Sequence, residues 1–388
     1  MKQFSAQFIF TNCGPPLKRG VITTDDDGTV ISAEDTGGEL KERAGLEFHN
    51  GIIIPGFVNC HCHLELSGLV GKIPSGKGLG GFIYDIMSIR DRTESSIAAL
   101  RADRMLFNEG VVLCADVCNT DATFELKTKS RIKYISLLEV LGTDPDAAQQ
   151  RFSETLRLSE AARSLGLEYS VVPHSFYSLS LTLLRLVKSA TASNRVTSIH
   201  FMESGSETEF LANNSGDIKE TFENSWPGIK VETVKDHASA ILEEITLSGN
   251  LILVHNTFTG RSTVRKVRER DNIFWCLCPR SNLYIENQLP EVGMLIEEGC
   301  RVVTGTDSLA SNSSLSILEE LKTIQDFFPS IPLETLVSWA TLNGARALCE
   351  ESTFGSIAPG KKPGLLLIQN ADLANLRLTR ESRVSRLI

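Results

Sequence analysis

The sequence predicts an α/β fold: a (β/α)₈ barrel of the TIM type, with a small β-sandwich domain built from both chain ends. Three observations predict it. Short, nearly continuous apolar runs recur eight times, helical patterns lie between many of them, and the two chain ends stand outside that alternation. A run that is apolar at every position suits a strand buried on both faces, as in a parallel sheet covered by helices. Eight such units in roughly 300 residues match one barrel with inserted loops. A doubly wound sheet is the runner-up.

Residues 1–50 read as short strands joined by turns, with Asp27-Gly28 and Gly37-Gly38 as turn signals. The apolar runs then fall at 52–59, 111–116, 132–140, 168–173, 196–201, 251–255, 273–278 and 302–306. Helical periodicity marks 97–109, 148–165, 237–248, 291–299, 315–327 and 333–350. Residues 354–370 read as strand, turn, strand around Ala-Pro-Gly-Lys-Lys-Pro-Gly. The expected domains are 1–50 with 354–388 as the small β domain, and 51–353 as the barrel.

Composition narrows the function classes. The 388 residues are 41% hydrophobic and 22% charged, as in soluble globular enzymes. Lys and Arg number 39 against 48 Asp and Glu, and a net charge of −9 argues against nucleic-acid or membrane-surface binding. No stretch reaches the roughly 18 apolar residues of a membrane helix. Nine cysteines without a disulfide-type pattern, and a beginning that lacks a signal peptide's apolar segment, point to a reducing cytoplasm. The expected partner is a small-molecule substrate, with a homodimer as the candidate assembly.

Five of the seven histidines (His61, His63, His174, His200 and His255) and Asp307 fall at the C-terminal ends of predicted strands. In a β/α barrel that end carries the active site. Residues i and i+2 of a strand share a face, so His61 and His63 reach one metal while Cys62 points away. His200 and Asp307 complete a set of three histidines and one aspartate that leaves a position open for water, as catalytic metal sites do. His49 and His237 lie away from strand C-termini and read as structural.

Competing motifs fail. Gly76-Lys-Gly-Leu-Gly-Gly81 has dinucleotide-loop spacing but follows no strand, and reads as a flexible loop. His63-Leu-Glu65 matches half of a zinc cytidine-deaminase signature whose second half, P-C-x-x-C, is absent. Cys276-x-Cys278 and Cys114-x-x-x-Cys118 read as packed thiols.

Four segments in order, Pro55-Gly-Phe-Val-Asn-Cys-His-Cys-His63, Ile199-His-Phe-Met-Glu203, Leu253-Val-His255 and Thr304-Gly-Thr-Asp307, resemble the amidohydrolase superfamily. More narrowly they resemble its cytosine-deaminase and chlorohydrolase-like branch, across nearly the whole chain. Gly355-Ser-Ile-Ala-Pro-Gly-Lys-Lys is similar to that branch's return into the small β domain, with Pro363-Gly364 in place of the usual Ala-Asp. The resemblance implies one divalent ion, zinc or iron, on His61, His63, His200 and Asp307. It implies Glu203 as proton shuttle, Asp307 as acceptor of the water's proton, and His255 as the residue orienting the attacking oxygen. Binuclear members carry a lysine where this chain has Val171-Val-Pro-His174, so one ion is expected.

Pro173-His-Ser-Phe-Tyr-Ser-Leu-Ser180 resembles a segment of the branch's adenosine-type deaminases, which act on thiomethyladenosine, adenosylhomocysteine or aminodeoxyfutalosine. Gly305-Thr-Asp-Ser-Leu-Ala-Ser-Asn312 leans toward the last of these. His174, Arg280, Ser308 and Asn312 are then the candidate substrate contacts, with Arg280 as an anion or ribose contact or a salt-bridged rim residue. Three readings stay open: an aminopurine-nucleoside deaminase, a hydrolase of another C–N or C–Cl bond of a heterocycle, and a non-catalytic scaffold. The last usually loses ligands, and none is missing.

Overall fold

The computed structural model describes residues 1–89, 95–225, 234–245 and 248–388. Among these residues the small-domain strands are β1 (Lys2–Ile9), β2 (Leu17–Lys18), β3 (Val21–Thr24), β4 (Val30–Glu34) and β5 (Leu46–Pro55). The barrel strands are β6 (Phe57–Cys62), β7 (Val111–Cys118), β8 (Lys133–Val140), β9 (Glu168–Pro173), β10 (Val196–Phe201), β11 (Asn250–His255), β12 (Ile273–Leu277) and β13 (Val302–Thr304). Strands β14 (Leu365–Gln369) and β15 (Arg383–Arg386) close the chain. No helix among the described residues is long and apolar enough to cross a membrane.

The eight runs form parallel ladders in two halves, β6-β7-β8-β9 and β10-β11-β12-β13. Side chains from all eight strands, among them Val58, Leu113, Leu137, Val172, Val196, Val254, Cys276 and Val303, meet in one buried cluster. That cluster is the barrel interior. Both seams between the halves are bonded at the C-terminal mouth. His200 N–H donates to the His174 carbonyl at 2.8 Å, and Thr306 and Asp307 N–H donate to the His61 carbonyl at 3.1 and 3.0 Å.

The chain-end strands form one sheet in the order β15-β14-β5-β1-β3-β4, with β2 beside β1. It has a buried core of its own, which includes Phe4, Ile9, Ile22, Val30, Ile53 and Leu367. Val30 exchanges backbone bonds with Lys361 and Gly360, both at 2.8 Å.

Several expectations need correction. The run 52–59 is two strands: residues up to Pro55 pair with β14, and Phe57 starts the barrel beside Val111. Gly56 makes the switch, because a Cβ there would lie 2.7 Å from the Pro363 carbonyl oxygen and 2.4 Å from Val112. The sheet of the chain ends therefore runs past residue 50. Residues 78–81, expected to be loop, open the helix Gly78–Ile89, whose Leu79 N–H is bonded by Glu286 at 2.8 Å. The helix expected over 333–350 divides into Leu333–Ser338, a wider-wound Trp339–Asn343 and Gly344–Ala347. Gly344 packs where a Cβ would sit 2.8 Å from that of Val58. The helix expected over 237–248 ends at Glu244; residues 246 and 247 lie outside the described residues.

Candidate active site

The mouth of the barrel is built by irregular strand ends. The β6–β7 register shifts between Asn59 and Cys62, and a bulge of this kind re-aims side chains. Cys62 packs in the core shared with the helices. His61 and His63 turn together, with their Nε2 atoms 3.1 Å apart. At β11, Leu253 faces the helices and Val254 the interior, so strict alternation would send His255 outward. Left-handed backbone at His255 (φ 74°) and Asn256 (φ 60°) turns the ring inward, 5.4 Å from that of His200. Asp307 is left-handed too, with φ 56°. Such strained positions persist where the surroundings over-determine them.

The ligand-type atoms of His61, His63 and His200 lie within 4.8 Å of one another, all buried. Asp307 Oδ1 is 3.6 Å from His61 Nε2 and 3.5 Å from His63 Nε2. Burial pushes the His63 and His200 pKa values well down, so both rings are neutral and offer a lone pair. Burial alone would raise the Asp307 pKa, but contact with His61 and the nearby His63 and His255 outweigh it and hold it well below the carboxylate range. His61 Nδ1 and both His255 nitrogens are buried without a hydrogen-bond partner among the described residues. Neutral nitrogens and an ionised carboxylate oxygen converging at this spacing fit a divalent transition-metal ion.

Supporting contacts fix these donors. His200 Nδ1 donates to the His174 carbonyl at 3.0 Å, which sets the tautomer and leaves Nε2 for the centre. Ser281 and Ser311 hydroxyls donate to Asp307 Oδ2 at 2.6 and 2.8 Å. Glu203 is buried, with Oε1 3.6 Å from His255 Nε2. Burial, then the negative charges of Asp307 and Glu207, push its carboxyl pKa well up. His255 is pushed down to about 4, chiefly by burial.

The substrate candidates divide. His174 stands at the centre, its ring 4.6 Å from that of His200 and its Nδ1 2.8 Å from the Ser178 hydroxyl. Ser308 is buried, and its hydroxyl accepts from Ala310 N–H at 3.2 Å. Arg280 and Asn312 are engaged with each other: Arg280 Nε donates to Asn312 Oδ1 at 3.1 Å, and Asn312 Nδ2 donates to Glu320 at 2.8 Å. Of the readings given to Arg280, this geometry favours the rim network.

Sequence reasoning missed Glu139, Ser281 and Ser311. Glu139, the penultimate residue of β8, accepts from Asn119 Nδ2 at 3.0 Å and lies 3.5 Å from His200 Nδ1. With His174 and His200 it forms a second donor cluster, but His200 Nδ1 is already committed to a carbonyl. Glu139 and Ser178 also line a cavity of about 650 Å³ whose wall includes Leu141, Arg151, Leu158 and Phe222. The available signal was positional: Glu139 is an acid inside an apolar run at a strand's C-terminal end.

The comparisons agree with this geometry. A model of the amidohydrolase family matches residues 52–382. The chain is 24% identical to an adenosine deaminase of Helicobacter pylori over 331 residues, 82% of this chain and 79% of that protein. It is 25% identical to an aminodeoxyfutalosine deaminase of Nitratiruptor sp. over 330 residues, 82% of this chain and 79% of that one. Among solved structures, H. pylori aminofutalosine deaminase in complex with methylthio-coformycin superposes with a TM-score of 0.83 at 20% identity, covering 100% of both chains.

Proposed function

The chain belongs to the amidohydrolase family, and on that basis we propose that it is a metal-dependent deaminase of a 6-aminopurine nucleoside, with aminodeoxyfutalosine as the leading substrate. It is a hydrolytic enzyme acting on a non-peptide C–N bond. The observation that carries the reading is the buried carboxyl of Glu203 beside His255, whose ring lies 5.6 Å from that of His61 and 5.4 Å from that of His200.

His61, His63, His200 and Asp307 would hold the ion, and three imidazoles with one carboxylate suit zinc. Such an ion supplies a hydrolytic nucleophile at neutral pH by lowering the pKa of water to about 7. Asp307 Oδ1 takes the proton of the attacking water, and the Ser281 and Ser311 hydroxyls keep Oδ2 turned away. Glu203, kept protonated by burial, gives its proton to the ring nitrogen beside C6; the proton that Asp307 took from the water passes to the amino group, which leaves as ammonia, and the hydroxyl now on C6 returns a proton to Glu203 as the carbonyl forms. His255 Nε2 orients the oxygen arriving at C6. The products are the 6-oxopurine nucleoside and ammonia.

The cavity beyond Glu139 supports a substrate longer than adenine. Its apolar wall suits a bulky substituent on the sugar, and Arg151 on that wall is the cation for a substrate carboxylate, in place of Arg280. The test is ammonia release by zinc-loaded protein from aminodeoxyfutalosine, adenosine, methylthioadenosine, adenine, guanine and cytosine. Aminodeoxyfutalosine should have the highest kcat/KM. A far higher value for free guanine or cytosine overturns the substrate and leaves the hydrolase reading standing. Arg151→Ala should cost aminodeoxyfutalosine more than adenosine, while Arg280→Ala should cost both alike.

A further inference from the structure

We propose that the buried pair Asp116–Lys127 is a positioning device for the His61–His63 segment, built to place one hydrogen-bond acceptor just past His63. This rests on the reading that His61, His63, His200 and Asp307 hold an ion.

The need for such a device follows from the bulge. Where the β6–β7 register shifts between Asn59 and Cys62, the ladder skips Cys60 and His61. Side chains take over. Asn59 Oδ1 accepts from His61 N–H at 3.2 Å, and Asp116 Oδ1 accepts from Leu64 N–H at 2.8 Å. Asp116 lies opposite Cys62, between the two histidines in register. The backbone on both sides of the His-x-His step is thus held by buried acceptors.

Asp116 could not serve there alone, because an ionised carboxylate out of water needs a partner. Lys127 reaches in from the helix Phe124–Lys129 and puts Nζ 2.6 Å from Asp116 Oδ2, both side chains fully buried. The ammonium also meets Cys118 Sγ at 2.9 Å and Ser136 Oγ at 3.1 Å. Burial works against a charged Lys127, but the Asp116 charge together with Cys118 and their hydrogen bonds outweighs it and keeps the ammonium. Stability does not explain the pair, since well-packed apolar residues commonly do as well in such places. What they cannot do is accept from Leu64 N–H. The pair touches neither ion nor substrate, so its role is to position.

Two double variants and two readouts decide. Asp116→Leu with Lys127→Met removes the charges and the acceptor together at similar volume. Asp116→Asn with Lys127→Met removes the charges and keeps an acceptor oxygen. Zinc affinity is measured by competition with a chromophoric chelator, and ligand geometry by the visible spectrum of the cobalt(II) form. The Leu/Met variant should fold and bind zinc ~10–100-fold more weakly, the usual cost of disturbing a ligand's support, with an altered cobalt spectrum. The Asn/Met variant should stay within about threefold of wild type in affinity. A folded Leu/Met variant with wild-type affinity and spectrum overturns the role. Equal losses in both variants make the charges decisive and also overturn it, as does a Leu/Met variant that fails to fold. Wild-type protein that takes up no zinc overturns the metal reading itself, a result distinguishable from all of these.

Discussion

Glu203, the proposed proton shuttle, has two properties that role needs: burial pushes its carboxyl pKa well up, and its Oε1 lies 3.6 Å from Nε2 of His255, the residue proposed to orient the reacting oxygen. Glu203→Gln keeps the shape and removes the proton, so it should retain zinc and lose ~10²–10⁴-fold in kcat; metal content and turnover measured on one preparation check this. Glu203 entered as a candidate through the family resemblance of Ile199-His-Phe-Met-Glu203, where it stands three residues after a strand-end histidine. The sequence does not reveal that Arg280 and Asn312, two of the candidate substrate contacts, bond each other and that Asn312 also bonds Glu320. Burial raises Glu320 to about 8, which suits a carboxyl that serves the rim network.

The elements carry their own tests. Helix Arg261–Val267 is clamped to helix Val292–Glu297 through Glu298, which accepts from Arg261 at 2.5 Å and Arg265 at 3.1 Å. The Arg265 and Arg261 guanidiniums hold its carboxyl down to about 2. A carboxyl whose pKa is depressed by folding stabilises the fold above its unfolded value of about 4.3 and loses that contribution as pH falls through the folded value. Wild type should therefore have a higher Tm than Glu298→Gln at pH 7, and the gap should close between about pH 5 and pH 2. A gap that stays constant over that range would show the clamp to be uncharged in effect. At the switch from β5 to β6, Gly56→Ala forces a methyl against Pro363 and Val112. It should destabilise by about 1–3 kcal/mol, as overpacking does, read from denaturant unfolding.

Across the whole molecule, the donor set spans both barrel halves. His61 and His63 come from the first, His200 and Asp307 from the second. An ion held there ties the seams together and binds only the folded chain. At free zinc ~1,000 times its Kd, this linkage is worth about 4 kcal/mol. Chelation should lower Tm by several degrees and added zinc should restore it, in scanning calorimetry at fixed pH. An unchanged Tm would mean that the mouth is held by its seam hydrogen bonds alone.

The sequence by itself determined what repeats locally. Eight buried strands show as apolar runs, because a strand covered on both faces has no polar side to interrupt it. The histidines show because polar residues at the ends of such runs have no packing reason to be there. Only the tertiary structure decided which neighbours those residues meet. It divided one run at Gly56, because Pro363 lies over 300 positions away in the chain and close in space. It turned His255 inward against strand alternation. It placed Lys127, which no motif or periodicity singles out in the sequence, beside Asp116 inside the fold. Those outcomes depend on contacts between distant segments, and the pattern within any one segment does not contain them.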